Sequence, residues 1–369
     1  MKALSIHKKL IIAHRGTTYW APEETEAAMR WARNMGADYL EIDLQRTLDG
    51  YLIALHDENL QRTTDIAIKF PDRKDEPASA FTYEELLTLD AGSWFNQRYP
   101  SRACAAFENQ DILTLEDVVM IAEGKRIKRD IFGKRLLYQD TCGRVRTVYE
   151  NDPADNGNRP GVYAETKIPE LFPGIEHDLK AELLKLGWYN TDPKKLKNIS
   201  VRRNRISKGN SVERIILQTF SKESLKTLNK LFSAHVPLCF LLWRGLEGDD
   251  IPDDNLETFK DWLCFGKAHG ATIAGPSISG GPNYYPNLLS PIHATLLKQA
   301  GLKIHPYSFD TNEQMQIFSP LADGVFTNRT DDALLYYHLN AGLPLPVDHA
   351  PAELVLEKLG YKSLSELHL

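Results

Sequence analysis

The sequence predicts an α/β fold, a TIM (β/α)8 barrel, and three observations carry that prediction. Eight short apolar runs of strand length alternate with longer segments whose apolar residues recur at helical spacing. Catalytic residue types stand at the ends of early runs, His14-Arg15-Gly16 after the first and Glu165-Thr166-Lys167 closing the third. At 369 residues, with 42% hydrophobic and 25% charged side chains, the chain exceeds one average domain yet suits a barrel folding as a single unit with a large core.

Ile11 and Ile12 form the first buried strand, whose C-terminal tip is polar. Residues 21–35 read as a helix entered through Pro22, with acids in its first turn. The second strand covers 39–44. Its period of two places Glu41 and Asp43 on one face and Leu40, Ile42 and Leu44 on the other. Two carboxylates side by side on an inward face repel, and burial worsens the repulsion, so a hard divalent cation with oxygen ligands, Mg²⁺ or Ca²⁺, is the direct way to keep both ionised.

Asp49-Gly50 signals a two-residue type I′ hairpin leading into the alternating run 51–56. With Leu48 paired to Tyr51, counting back puts His56 opposite Asp43, where an imidazole could serve a metal-bound phosphate. Treating 51–56 as a return arm leaves eight parallel strands for the barrel, the number that closes one.

Residues 58–112 break the rhythm and read as an inserted cap subdomain on the strand-end face, with a short helix start at 81–87 and a loop at 92–95. Residues 114–123 return to a barrel helix capped by Thr114, with Asp117 three positions on, where a capping box would carry the longer Glu or Gln. A second insert, 125–160, precedes the third barrel strand and contains a hairpin around Cys142-Gly143. The remaining strands are expected at 162–166, 215–220, 238–243, 271–275, 303–309 and 324–327, each followed by a helix. The whole chain, 1–369, is read as one domain.

These residues carry a resemblance. The ordered elements His14-Arg15-Gly16, Pro22-Glu23-Glu24-Thr25, Gly36-Ala37-Asp38, Glu41-Ile42-Asp43, Thr47-Leu48-Asp49-Gly50 and His56-Asp57, with 60–64 after them, resemble the bacterial-type glycerophosphodiester phosphodiesterase family. Glu24 departs from the family's asparagine and touches no proposed catalytic role. The resemblance implies a cap over the active site from the first insert, and metal-dependent hydrolysis of a small glycerophosphodiester, such as glycerophosphocholine or glycerophosphoethanolamine, to sn-glycerol 3-phosphate and an alcohol.

The resemblance also implies that Glu165 completes a metal site with Glu41 and Asp43 and that Lys167 faces the phosphate. The ion would be Mg²⁺ or Ca²⁺, with Mn²⁺ as a further candidate. Arg15 can grip two phosphate oxygens at once, and His14 and His56 are the general acid and base, their order open. Phe220 and Tyr307 are placed against the glycerol as pocket walls, Glu23 supports the first loop, and His305 has a structural role. The alternatives are a phospholipase D-like lyase giving a cyclic phosphate from lysolipids, and a barrel that binds phosphodiesters without turnover.

A net charge of −6 argues against a general affinity for nucleic acid. Cys104, Cys142, Cys239 and Cys264 show no metal spacing and read as free thiols. The longest apolar run, 236–243, is far short of the ~20 residues a membrane span needs. MKALSIHKKL leaves no room for a signal segment before the first strand, so a cytoplasmic location is expected, or a periplasmic or secreted one if a leader was removed. The basic stretches 125–146 and 194–208 read as solvated surface, with docking to an anionic membrane as the lesser alternative.

Overall fold

The computed structural model describes residues 9–201, 208–340 and 342. The N-terminal stretch 1–8 and the segment 202–207 of the second basic stretch lie outside the described residues.

Eight parallel strands form the barrel: β1 (Leu10–Ala13), β2 (Tyr39–Arg46), β8 (Gly161–Thr166), β9 (Ile215–Thr219), β10 (Leu238–Leu242), β11 (Ile273–Pro276), β12 (Lys303–Ile304) and β13 (Gly324–Thr327). Ladders join them in the order β12-β11-β10-β9-β8-β2-β1-β13. Between β12 and β13 the ladder is irregular because Pro306 has no amide to donate. Closure there comes from Asp323 N–H on the Ile304 carbonyl, Phe326 N–H on the Pro306 carbonyl and Phe309 N–H on the Phe326 carbonyl.

Strand periodicity sorts the side chains into two layers. Leu40, Ile42, Leu44, Val162 and Ala164 pack outward in the main core, while Ile12, Tyr39, Tyr163, Cys239 and Phe326 fill the barrel interior as its floor. His305 belongs to this floor, 1% exposed and within 3.3 Å of the Tyr163 hydroxyl, as a structural role requires. Inward positions above the floor on β2 and β8 are Glu41, Asp43 and Glu165, so the same alternation that fills the floor delivers the acids to the mouth.

Several expectations need correction. The first helix is Glu26–Met35, shorter than 21–35, because Glu24 takes a left-handed φ of 57° and Thr25 caps the helix by accepting from the Ala28 amide. The hairpin loop has three residues. Thr47 pairs with Tyr51, Gly50 N–H donates to the Thr47 carbonyl, and Gly50 sits at φ 82°, where a side chain would be strained. Register therefore slips by one: the return strand β3 (Leu52–Ala54) pairs Ala54 with Leu44, and Leu55, in place of His56, lies opposite Asp43. The helix Ser93–Arg98 replaces the loop expected at 92–95. Asp117 does complete the capping box of helix Leu115–Ala122, accepting from the Thr114 amide at 2.8 Å.

The second insert lies on the outer wall. Its strands β4 (Lys125–Ile127) and β7 (Tyr149–Asn151) pair antiparallel, as do β5 (Leu137–Gln139) and β6 (Val145–Thr147), the expected hairpin. Not all of its basic stretch is solvated: Arg135 is buried against Asp117, Asp111 and the Tyr83 hydroxyl, and Arg146 pairs with Glu116, Asp140 and Glu182. The four cysteines are free. Among the described residues no helix is long and apolar enough to cross a membrane.

Candidate active site

A cavity of about 430 Å³ opens at the C-terminal end of the barrel strands, and all nine sequence-predicted site residues line it: His14, Arg15, Glu41, Asp43, His56, Glu165, Lys167, Phe220 and Tyr307. Parallel pairing of β2 with β8 sets Asp43 directly beside Glu165, and Glu41 stands two positions earlier on the same face. All three are almost fully buried, and each offers a carboxylate oxygen within 4.8 Å of the others. Gln218, inward on β9, donates to Glu41 at 2.8 Å and fixes it.

The loop after β1 delivers the cations. Arg15 is held at φ 54°, its amide donating to Glu41 at 2.8 Å and its Nε lying 3.0 Å from Asp43 Oδ2. Gly16 is required there, because a Cβ would sit 2.7 Å from the Ala28 side chain. Lys167 Nζ is 3.1 Å from Glu165 and 3.6 Å from Asp43.

Electrostatics separate the acids. Burial, with the neighbouring Asp43 charge, pushes Glu41 well above the usual carboxylate range. Burial also pushes Glu165 up to about 8, although Lys167 opposes it. Burial would raise Asp43 too, but Lys167, His56 and Arg15 hold it low. Asp43 Oδ2 and Arg15 Nε are close but misaligned, and among the described residues both are buried without a hydrogen-bond partner. An orphaned carboxylate oxygen among three converging acids fits a hard divalent cation: every donor is oxygen, and one more positive charge is wanted where the chain supplies too little.

The two imidazoles differ in their supports. His14 Nδ1 is 2.8 Å from Asn328 Oδ1, and the Asn328 amide nitrogen donates to Asp310, which fixes Oδ1 as the atom facing His14. His14 therefore carries its proton on Nδ1 and leaves Nε2 bare. Burial, with Arg15 beside it, lowers His14 to about 3. His56 Nδ1 instead meets a carboxylate, Asp57, at 2.7 Å. Burial and the charges of Arg15 and Lys167 lower His56, and Asp57 works against them. Arg62 then grips Asp57 at 2.6 Å and Glu23 at 2.7 Å, and Glu23 reaches Arg15, linking the two histidine loops through charge. Arg62 is the contribution of residues 58–112 to the cavity among the described residues.

His56 thus reaches the cavity by a route other than the expected pairing. The strand ends at Ala54, and Gln45 bonds the carbonyls of Leu55 and Asp57, turning the chain inward. Sequence reasoning also missed Gln218, Trp243, Tyr285, Asn328, Asp57 and Arg62. Counting by twos along β9 and β10 gives Gln218 and Trp243. The motif His56-Asp57 contains the second. Nothing in the sequence flags Asn328 as the partner of a histidine 314 positions away. Glu24, set aside as touching no catalytic role, accepts from the Asp43 amide at 2.7 Å directly behind the site.

Residues 14–135 match the Glycerophosphoryl diester phosphodiesterase family. A glycerophosphodiester phosphodiesterase of Bacillus subtilis (strain 168) is 30% identical over 329 residues, covering 89% of this chain and 86% of that one. The crystal structure of a glycerophosphodiester phosphodiesterase from Agrobacterium tumefaciens str. C58 superposes with a TM-score of 0.54 at 22% identity, over 88% of this chain and 97% of that one. An Oleispira antarctica phosphodiesterase, solved in complex with the product sn-glycerol-3-phosphate, superposes with a TM-score of 0.54 at 18% identity, over 88% and 96%. At such identities the two structures speak to the shared fold.

Proposed function

This chain belongs to the glycerophosphodiester phosphodiesterase family and is a phosphoric diester hydrolase, and from the cavity we infer a metal-dependent hydrolysis of glycerophosphodiesters to sn-glycerol 3-phosphate and an alcohol. The observation that carries this reading is the convergence of two differently supported imidazoles, three buried acids and two cations on one cavity. The product named for the Oleispira antarctica structure is in keeping with it.

Glu41, Asp43 and Glu165 would hold one divalent ion, Mg²⁺ or Ca²⁺, with Mn²⁺ a further candidate. When bound, the ion supplies positive charge against the non-bridging phosphate oxygens. Arg15 and Lys167 would bind those oxygens as well, exchanging part of their contact with Asp43 for the phosphate. His14, with Nδ1–H committed to Asn328, presents Nε2 to take the proton of the attacking hydroxyl, from water or from the glycerol itself. His56 is the proton donor to the leaving alcohol oxygen, because the Asp57 carboxylate stabilises its charged form, whereas His14 has only a neutral amide behind it. Phe220 and Tyr307, edge to face at 6.1 Å, wall the cavity for the glycerol carbons.

The test is turnover of glycerophosphocholine by a coupled glycerol 3-phosphate assay. His14→Ala and His56→Ala are each expected to lose about 10²–10⁴-fold in kcat with the fold intact. Unchanged turnover in either variant would remove that ring from the mechanism, and phosphorus NMR showing only a cyclic product would make the enzyme a lyase.

A further inference from the structure

The second insert carries an apolar tip set among cations. Residues 124–135 hold six basic side chains, Lys125, Arg126, Lys128, Arg129, Lys134 and Arg135, against the single acid Asp130, in a chain whose net charge is −6. Strand β4 climbs the outside of the barrel. Arg33, near the C-terminal end of helix Glu26–Met35, donates to the Lys125 carbonyl, whereas Glu26 at the helix N-terminus accepts from the Ile127 amide and pairs with Arg129. That helix follows β1, so its N-terminus marks the end of the barrel at which the catalytic cavity opens, and the turn after Arg129 projects at that same end.

The turn is ordered by hydrogen bonds. Asp130 N–H donates to the Lys134 carbonyl, Gly133 N–H donates to the Asp130 carbonyl, and the Asp130 carboxylate accepts from the amides of Phe132 and Lys134. At its crest Ile131 and Phe132 are 93% and 87% exposed, and a Cβ on Gly133 would meet nothing within 4 Å. Folding gains nothing from showing two large apolar side chains to water on an ordered turn. Arg129 is tied to Glu26 and Asp111, and Arg126 to Glu150, but Lys128 and Lys134 are exposed and make no ion pair among the described residues. An apolar pair between two uncommitted ammonium groups matches a surface with acyl chains beneath a layer of negative charge. Leu246 and Tyr284, 92% and 81% exposed, stand on the loops after β10 and β11 at this same end.

We propose that residues 128–134 dock this protein, catalytic end first, on anionic phospholipid bilayers, with Ile131 and Phe132 entering the acyl boundary and Lys128 and Lys134 meeting the headgroup phosphates. The test is co-sedimentation of the full chain with vesicles of phosphatidylcholine containing a quarter phosphatidylglycerol, and with phosphatidylcholine alone. Partition to the anionic vesicles is expected to be about tenfold stronger or more, and to fall as salt rises. Ile131→Ser with Phe132→Ser lowers it about tenfold or more, as does Lys128→Gln with Lys134→Gln, with the thermal unfolding midpoint unchanged. Phe132→Trp adds emission that shifts to the blue and is quenched by brominated lipid, a readout independent of stability. Equal partition to both vesicle types, or serine variants that bind as well as the parent, would overturn the proposal. Loss of a concentration-dependent dimer in those variants would assign the tip to a second copy of the chain instead.

Discussion

Asp152, on the outer wall, and Asp43, at the barrel mouth, are both buried carboxylates beside arginine, at 0% and 1% exposure, and they are handled differently. Asp152 receives Arg30 through two nitrogens at 2.7 and 2.8 Å, Arg33 at 2.5 Å and the Ala154 amide at 2.9 Å. Its charge is matched and its lone pairs are spoken for. Asp43 has an oxygen without a hydrogen bond and two carboxylate neighbours that burial pushes toward the protonated form. A structural ion pair is complete within the chain, whereas the proposed cation and phosphate site keeps an acceptor that the chain itself does not satisfy.

The largest effect that tests this contrast is on catalysis. Glu165→Gln is expected to lower kcat/KM by about 10²–10³-fold while changing the unfolding free energy of the cation-free protein by less than about 1 kcal/mol, because Glu165 already favours its proton there. A large loss of stability in urea unfolding would place Glu165 in the same class as Asp152. Asp152→Asn should do the reverse. Removing the charge shared by two buried arginines costs about 3–5 kcal/mol, read by the same unfolding measurement, with kcat per folded molecule retained.

A third expectation concerns pH. The folded value of Glu165, about 8, lies above the unfolded carboxylate value of roughly 4.3. The native state therefore binds the extra proton, and the stability that it contributes is full below the unfolded value and lost as pH rises through the folded one. A divalent cation competes with that proton, so the rise in melting temperature on adding Ca²⁺ or Mg²⁺ should be small near pH 5 and grow toward pH 8. A shift independent of pH in thermal-melt experiments would remove Glu165 from the cation site. The smallest effect is expected of Glu24→Gln, which keeps an acceptor for the Asp43 amide and should change stability by less than about 1 kcal/mol.

The barrel strands and six of the residues that line the cavity were readable because each rests on a local rule. Alternation put Glu41 beside Asp43 and Glu165 beside Lys167, and chain order put His14 and Arg15 at a strand tip. His56 lines the cavity, but not through the pairing with Asp43 that the sequence suggested. Asp49-Gly50 marked a turn, but two-residue and three-residue loops share that signal, and one residue decides the register. The loop expected at 92–95 proved helical, and the basic insert proved partly buried, because Arg135 finds Asp117 and Tyr83, which are distant in sequence.

By itself the sequence determined the eight strands, their inward and outward faces and the chemical types gathered at one end, since the periods of strand and helix are properties of the local backbone. Only the tertiary structure decided that His14 stands on the Asn328 amide, and which buried charges are matched. Pairing of the first barrel strand with the last sets β1 against β13 and so brings Asn328 to His14, and no local period encodes a contact between strands so far apart in the chain.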